Sequence, residues 1–208
     1  MTAMPQKCTI RHCMMQCLQH CSRSPRMQPD KNDRSRKMQI RRMIPEDAEA
    51  LSKMIRRTIA ISNGPDYPKS QIEKQLAVHS PEMMLERAEQ GHTYVFLLDG
   101  EIVGCGTIAP YWDNENESVL LSVFVMPECQ GRGIGKFILA SLEHDEYGRR
   151  AERIEAPTSI TGVEFYLSRG YGFKGGKKKL EDNVLYRLEK FPKKKKDAEK
   201  KKDAGSDQ

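Results

Sequence analysis

One stretch of the chain, residues 118–142, constrains the fold more than any other part of the 208-residue sequence. It opens with an almost continuous run of β-branched and apolar residues at positions 118–126, which is typical of a strand buried on both faces. Pro127 lacks a backbone donor and therefore ends that strand. A glycine-rich turn follows at 130–136, and apolar residues then recur every four positions from Ile134, as on one face of a helix. The stretch predicts a strand, a tight turn and a helix.

The turn, Gln130-Gly131-Arg132-Gly133-Ile134-Gly135-Lys136, has the chemistry of an anion-binding site. Its alternating glycines lack the Cβ atoms that would keep a ligand away from the backbone. The first amides of the following helix have no acceptor within the helix, and the helix dipole adds partial positive charge there. The spacing does not match a P-loop, which needs GxxxxGK[ST], or a dinucleotide-binding turn, which needs GxGxxG. We therefore predict a phosphate or pyrophosphate site of another type.

Two segments resemble one known family. Val123–Gly135 resembles the acyl-CoA motif, Q/R-x-x-G-x-G/A, of the GNAT superfamily of N-acetyltransferases. Ser159–Tyr171 is similar to the family's N-x-x-A-x-x-F-Y-x-x-x-G-[FY] segment, with Ser159 in place of Asn and Gly162 in place of Ala. The resemblance covers roughly residues 38–191. It implies an α/β (α+β) fold with a mixed, largely antiparallel sheet of about six to seven strands and helices on both faces.

The resemblance also implies a set of site residues. Acetyl-CoA, as co-substrate, is expected to contact the end of the central strand, the glycine turn and the start of the second motif, namely Val123, Phe124, Val125, Gln130, Gly131, Arg132, Gly133, Ile134, Gly135, Lys136 and Ser159. Tyr166 is the expected general acid, because a phenol with a pKa near ~10 is protonated at neutral pH. Glu117 is the expected general base, with Glu115 or a chain of waters as alternatives. We predict no metal in this site.

The resemblance implies direct transfer of an acetyl group from acetyl-CoA to a primary amine within a ternary complex. A non-catalytic acyl-CoA-binding module is the alternative; retention of Tyr166 favours the enzyme. The acceptor, a small-molecule or peptide amine, would be selected by residues 56–67 and 175–183. An acetyl-cysteine route through Cys129 is conceivable, but the resemblance favours direct transfer. The sequence leaves open whether the chain is a monomer or a homodimer.

The net charge of +6 does not indicate a nucleic-acid-binding protein. Residues 1–37 carry a net charge of +6 and residues 193–208 a net charge of +3, so residues 38–192 carry −3. The basic segments lack the interleaved aromatic residues that stack on bases, and the part between them is mildly acidic. We expect no nucleic-acid partner.

Composition divides the chain into three parts. Residues 1–37 are predicted to be a disordered basic extension, residues 38–192 the acetyltransferase domain, and residues 193–208 a disordered Lys-rich tail. The cysteines and histidines of the first part match none of the usual zinc spacings, although a zinc site and an organelle presequence remain alternatives there. No apolar run approaches the ~20 residues of a membrane span, so we expect a cytoplasmic protein without membrane contact.

Hydrophobic patterning predicts the remaining elements of residues 38–192. The predicted strands are 39–43, 93–98, 102–108, 153–156 and 184–188, and the predicted helices are 45–59, 71–78, 81–90 and a short one around Tyr166. Asp99-Gly100 is a strong signal for a hairpin turn between the second and third strands. Residues 113–117 are predicted to be a polar loop before the central strand.

Overall fold

A computed structural model describes residues 38–192. Its strands are β1 (Met38–Arg42), β2 (His92–Leu98), β3 (Glu101–Tyr111), β4 (Asn114–Val125), β5 (Arg153–Thr158), β6 (Gly172–Phe173), β7 (Leu180–Glu181) and β8 (Leu185–Lys190). Its helices are α1 (Ala48–Thr58), α2 (Lys69–Ala77), α3 (Pro81–Gln90), α4 (Ile134–Glu143), α5 (Glu146–Arg150) and α6 (Val163–Leu167). The predictions for residues 1–37 and 193–208 lie outside the described part.

The strands form one mixed sheet in the order β1-β2-β3-β4-β5-β8-β6, with β7 also paired to β8. All neighbouring strands are antiparallel except β4 and β5, which are parallel. The predicted fold class is therefore confirmed. The sheet has eight strands among the described residues, above the six to seven predicted, because β6 and β7 are two-residue strands with no pattern of their own.

The central strand is longer than its apolar run. Residues 114–117, predicted as loop, are the first four residues of β4, and Asn114 pairs with Tyr111 across a tight hairpin. Polar residues have low strand propensity, but pairing to a neighbouring strand overrides it. The apolar prediction was correct for the buried part of β4 and wrong for its start.

The two faces of the sheet carry separate apolar clusters. On one face, α4 packs Ile138 and Leu142 so closely on β3 that a Cβ at Gly106 would lie 2.7 Å from Leu142 Cδ1. On the other face, α1 and α3 pack on β2 and β3, and Leu51 and Ile55 of α1 are fully buried. The helices hold the sheet from both sides and leave the carboxyl end of β4 at one edge of the molecule's core.

The described part shows neither a membrane-spanning helix nor a cluster of metal-ligating side chains. Among residues 38–192, no helix is long and apolar enough to cross a membrane. Over the same residues, no group of three or more His, Cys, Asp or Glu side chains is arranged to hold a metal ion.

Candidate functional site

The glycine turn joins the carboxyl end of β4 to the amino end of α4, as predicted. Gly131 and Gly133 have φ values of 73° and 83°, in the left-handed region that favours glycine. Nothing lies within 4 Å of where their Cβ atoms would be, so the backbone there faces open space. Arg132 is exposed beside it. The turn can therefore admit a ligand directly against the amides that begin α4, where an anion is stabilised by the helix dipole.

Gly135 serves a different purpose from the two glycines before it. It lies in the first turn of α4 with an ordinary helical backbone, and a Cβ there would lie 3.3 Å from Phe165 Cε2 and 3.7 Å from Val125 Cγ2. Its small size lets α6 pack against the start of α4. The sequence argument attributed all three glycines to ligand contact, whereas at Gly135 the observed neighbours are protein side chains. Ile134 beside it is buried in the core.

β4 and β5 separate beside this turn. They pair over only three residues, and the last pair is Val119 with Glu155. Beyond it β4 stays paired to β3 as far as Val125, where Gln130 Nε2 donates a hydrogen bond of 3.0 Å to the Val125 carbonyl. Among residues 38–192, the edge of β4 that carries Val123–Val125 therefore has no strand paired to it on its β5 side. We call this opening the fork.

A bulge accompanies the fork. The pairing of β3 with β4 shifts between Cys105 and Thr107, and Ser122 opposite has a φ of 49°. Arg87 of α3 donates a 2.7 Å hydrogen bond to Ser122 Oγ, and Cys105 Sγ donates to the Ser122 carbonyl. Burial lowers the pKa of Arg87. Such a bulge bends β4 and increases its twist, which turns its end away from β5. The sequence contained no recognisable signal for this bulge.

Glu155, at the closed end of the fork, is fully buried. Its carboxylate forms ion pairs with Lys174 (2.8 Å), Arg153 (2.7 Å) and Arg187 (2.5 Å). Burial acts to raise the pKa of Glu155, but the hydrogen bonds from these three cations outweigh it and lower that pKa to about 2. This ion cluster connects β5 to β8 and to Lys174, at the point where β4 and β5 diverge.

Residues 59–67 connect α1 to α2 and contact both sides of the fork. We call them the crossing segment. On the β4 side, Gln130 Nε2 donates to Ser62 Oγ at 3.2 Å; on the β5 side, Thr161 Oγ1 donates to Asp66 Oδ2 at 2.7 Å. Arg57, just before the segment, forms an exposed ion pair with Glu128. The predicted acceptor region therefore lies next to both motif segments.

The start of the second motif lies on the β5 side of the fork. Ser159 is half-buried and precedes a turn, Ile160–Gly162, that leads into α6. Gly162 stands where the family often has Ala, and a Cβ there would lie only 2.3 Å from Thr158 Oγ1. The absence of a side chain at Gly162 thus leaves room for the hydroxyl of Thr158, four residues earlier.

Tyr166 is buried in the core on α6, at 5% exposure. Its ring packs edge-on against Phe165 and Tyr171, with ring centres 5.2 and 5.3 Å away. Burial raises the pKa of Tyr166 above its ordinary value, and the negative charge of Glu143 raises it further. The phenol therefore stays protonated throughout the neutral range.

The structure does not bring Glu117 close to the glycine turn. It pairs with Arg153 at the start of the β4–β5 contact, eight residues and roughly 26 Å of extended strand from Val125. Its carboxylate accepts a 2.9 Å hydrogen bond from Arg153 Nε. Arg153 therefore holds this carboxylate where β4 and β5 are paired, away from the glycine turn.

Comparison with known proteins agrees with this geometry. Residues 57–173 match the model of the acetyltransferase (GNAT) family. The chain belongs to that family. No curated protein matches the sequence closely enough to count as a relative.

Solved structures of GNAT proteins show the same fold. One is the PaiA N-acetyltransferase of Thermoplasma acidophilum in complex with coenzyme A, which has 19% identity and a TM-score of 0.64, covering 75% of this chain and 99% of its own. A GCN5-related N-acetyltransferase of Rhodopseudomonas palustris has 22% identity and a TM-score of 0.61, with coverages of 74% and 95%. The yncA acetyltransferase of Salmonella typhimurium, solved with acetyl-CoA, has 18% identity and a TM-score of 0.50, with coverages of 74% and 94%.

Proposed function

We propose that this GNAT protein transfers the acetyl group of acetyl-CoA to a primary amine by direct attack in a ternary complex. The observation that carries the proposal is the fork: β4 and β5 separate beside a turn whose backbone at Gly131 and Gly133 faces open space and which leads into the positive end of the α4 dipole. A ligand with a pyrophosphate and a long, narrow arm fits this arrangement. Two proteins of the same fold, from T. acidophilum and S. typhimurium, were solved with coenzyme A or acetyl-CoA.

In this proposal the turn Gln130–Lys136 holds the pyrophosphate, with backbone amides as the main donors and Arg132 and Lys136 as charges. Strand amides around Val123–Val125 hydrogen-bond the arm and polarise the thioester carbonyl, as preorganised donors stabilise an oxyanion. Ser159 contacts the donor from the β5 side. Acetyl-CoA itself supplies a thioester, an activated acetyl donor.

Tyr166 is the proposed proton donor to the leaving sulfur. Because burial raises its pKa, it holds its proton more tightly than an ordinary thiol of pKa ~8.5 does. It can therefore stabilise a developing thiolate by hydrogen bonding from the start of C–S cleavage. As the C–S bond breaks, the sulfur takes the proton of Tyr166, and the attacking nitrogen loses its proton through water to Glu117. The phenolate then regains a proton from solvent, and Glu117 returns its proton to solvent. Glu117 is the proposed base and acts through water, because Arg153 holds it at the start of β4.

The test is release of free thiol from acetyl-CoA with a panel of amines: amino acids, polyamines, aminoglycosides and peptides. With an active amine in hand, Tyr166→Phe should lower kcat by ~10²–10⁴, the usual contribution of a positioned acid. The acetyl-CoA Kd from calorimetry should not change, because the hydroxyl acts only as the C–S bond breaks.

Tyr171→Phe is the matched control. Tyr171 is also buried and touches Tyr166, but its hydroxyl donates to Glu143 at 3.1 Å. Its replacement should lower stability and leave kcat within about threefold, since the lost hydrogen bond lies in the core. Equal kcat in Tyr166→Phe and wild type would remove Tyr166 from the mechanism. Tight acetyl-CoA binding without thiol release for any amine would favour the non-catalytic binding module.

A further inference from the structure

Tyr67, the last residue of the crossing segment, was not singled out by the sequence. Its ring is buried, at 7% exposure, although it lies in a connection rather than in a helix or strand. Its hydroxyl donates a 2.5 Å hydrogen bond to the Val184 carbonyl and accepts one of 2.7 Å from the Ile160 amide. The hydroxyl proton is thus donated to the Val184 carbonyl, and a lone pair of the same oxygen accepts from the Ile160 amide.

These two bonds join three segments that are far apart in sequence. Val184 lies between β7 and β8, next to two residues with positive φ, Asp182 and Asn183. Ile160 opens the turn into α6, the helix that carries Tyr166. Tyr67 therefore links, through one atom, the crossing segment, the β7–β8 turn and the start of α6.

The Ile160 amide and the Val184 carbonyl are not satisfied by a helix or a strand at these positions. The amide begins a helical turn, where no preceding carbonyl is available to it within the turn. Burial of such a group without a partner is costly, so the hydroxyl of Tyr67 selects the one arrangement of the three segments that pairs both groups.

We propose that Tyr67 is a positioning residue for the acceptor: it holds the crossing segment and the β7–β8 turn in a fixed position relative to Tyr166. The inference rests on the proposed function and on the expectation from the sequence that residues 56–67 and 175–183 select the acceptor amine. Tyr67 touches no reacting atom. It acts by fixing where the amine stands relative to the thioester, and small displacements of a reacting group reduce turnover strongly.

A second link keeps the crossing segment attached when Tyr67 is changed. Thr161 Oγ1 donates to Asp66 Oδ2 at 2.7 Å; Asp66 is next to Tyr67 in the chain, and Thr161 is next to Ile160. Tyr67→Phe also keeps the buried ring. The variant is therefore expected to fold, with the segments loosened and still in place.

The experiment compares Tyr67→Phe with Tyr94→Phe, using the full chain. Tyr94 is the matched control: its half-buried ring also has a hydrogen-bonded hydroxyl, which donates to Asp145 Oδ2 at 2.7 Å, and it lies on β2 away from the fork. Three quantities are measured for each: amide hydrogen exchange by peptide mass spectrometry, acetyl-CoA Kd by calorimetry, and kcat and KM for an active amine.

Tyr67→Phe should accelerate exchange in peptides that contain residues 59–67, 160–163 and 182–185. Its kcat/KM for the amine should fall roughly 10- to 100-fold, with the acetyl-CoA Kd within about twofold of wild type. Tyr94→Phe should show neither effect. The ratio of kcat/KM for a short amine to kcat/KM for a bulky amine should also change in Tyr67→Phe and not in Tyr94→Phe. In Tyr67→Phe the crossing segment and the β7–β8 turn, which are proposed to contact the acceptor, are held less rigidly.

Unchanged exchange around Ile160 would overturn the proposal, and so would an equal loss of kcat/KM in both variants, which indicates a general stability effect. If wild type acetylates none of the amines, the proposed function fails by itself. In that event amide hydrogen exchange still tests whether Tyr67 links the three segments. Faster exchange confined to these segments in Tyr67→Phe would support the link, and unchanged exchange would refute it.

Discussion

Replacing Glu155 with Gln tests the ion cluster at the closed end of the fork. The substitution keeps the shape of the side chain and removes the negative charge that pairs with Lys174, Arg153 and Arg187. Arg153 would still pair with Glu117 and Arg187 with Glu181, but Lys174 would lose its ion pair with Glu155. Breaking a buried ion pair from one side typically costs ~3–5 kcal/mol, which corresponds to a fall in Tm of roughly 6–20 °C for a domain of this size.

The pH dependence gives an independent measure of the same interaction. Glu155 has a pKa of about 2 in the folded chain, below the ordinary 4.5. Since the folded pKa is the lower one, the stabilisation is fully present above pH 4.5 and is lost as the pH falls toward 2. The shift corresponds to about 3 kcal/mol, of which about 2 kcal/mol is lost by pH 3.

Urea unfolding followed by circular dichroism at pH 7 and pH 3 measures both effects. The control is Glu181→Gln: Glu181 pairs with the same Arg187 at 2.6 Å but is 39% exposed, so its loss should lower stability far less than the loss of Glu155. Between pH 7 and pH 3, Glu155→Gln should lose about 2 kcal/mol less stability than wild type. If Glu155→Gln is as stable as Glu181→Gln at pH 7, the buried cluster does not hold β5 and β8 as argued.

Further predictions concern the turn and two buried titrating groups. Gly133→Ala should weaken acetyl-CoA binding about 5- to 30-fold by calorimetry, because a residue with a Cβ in the left-handed conformation costs ~1–2 kcal/mol. Gly135→Ala has a helical φ and a Cβ that faces Phe165, so it should bind acetyl-CoA within about threefold of wild type. Equal losses of affinity in the two variants would contradict the different roles given to these glycines. Cys105 should escape iodoacetamide at pH 8 in peptide maps of the folded protein, since burial raises its pKa to about 12, and its labelling would contradict that burial. His79, whose pKa burial lowers to about 4, should keep the NMR shifts of neutral imidazole down to about pH 5; its lowered pKa also means that stability is lost as the pH falls from 6.5 toward 4.

The sequence predicted the elements whose signal is local. The apolar run of β4, Pro127 and the glycines identify a strand, a turn and a helix because neighbouring residues impose these conformations through sterics and hydrogen-bonding capacity. The Asp99-Gly100 hairpin, with φ values of 53° and 88°, was predicted for the same reason. The family and its fold followed from the order of two motifs along the chain. The roles of Tyr166, Glu117 and the turn residues stay predictions that the proposed kinetics would test.

Other features depend on residues that are distant in sequence. The polar start of β4 is a strand because β3 pairs with it, and the bulge at Ser122 carries a hydrogen bond from Arg87 of α3. Gly135 is small because Phe165, thirty residues later, packs on it.

The contacts of the crossing segment were likewise unpredictable from local sequence. Nothing near Tyr67 in the sequence indicates that its hydroxyl joins Ile160 to Val184, since both partners come close only when the sheet has formed. Local sequence determined the donor turn, because a turn and a helix start are short-range structures. Tertiary packing alone decided where β4 and β5 separate, where Glu117 is held and how the crossing segment is joined to Ile160 and Val184, because each depends on pairing between segments that the chain brings together only on folding.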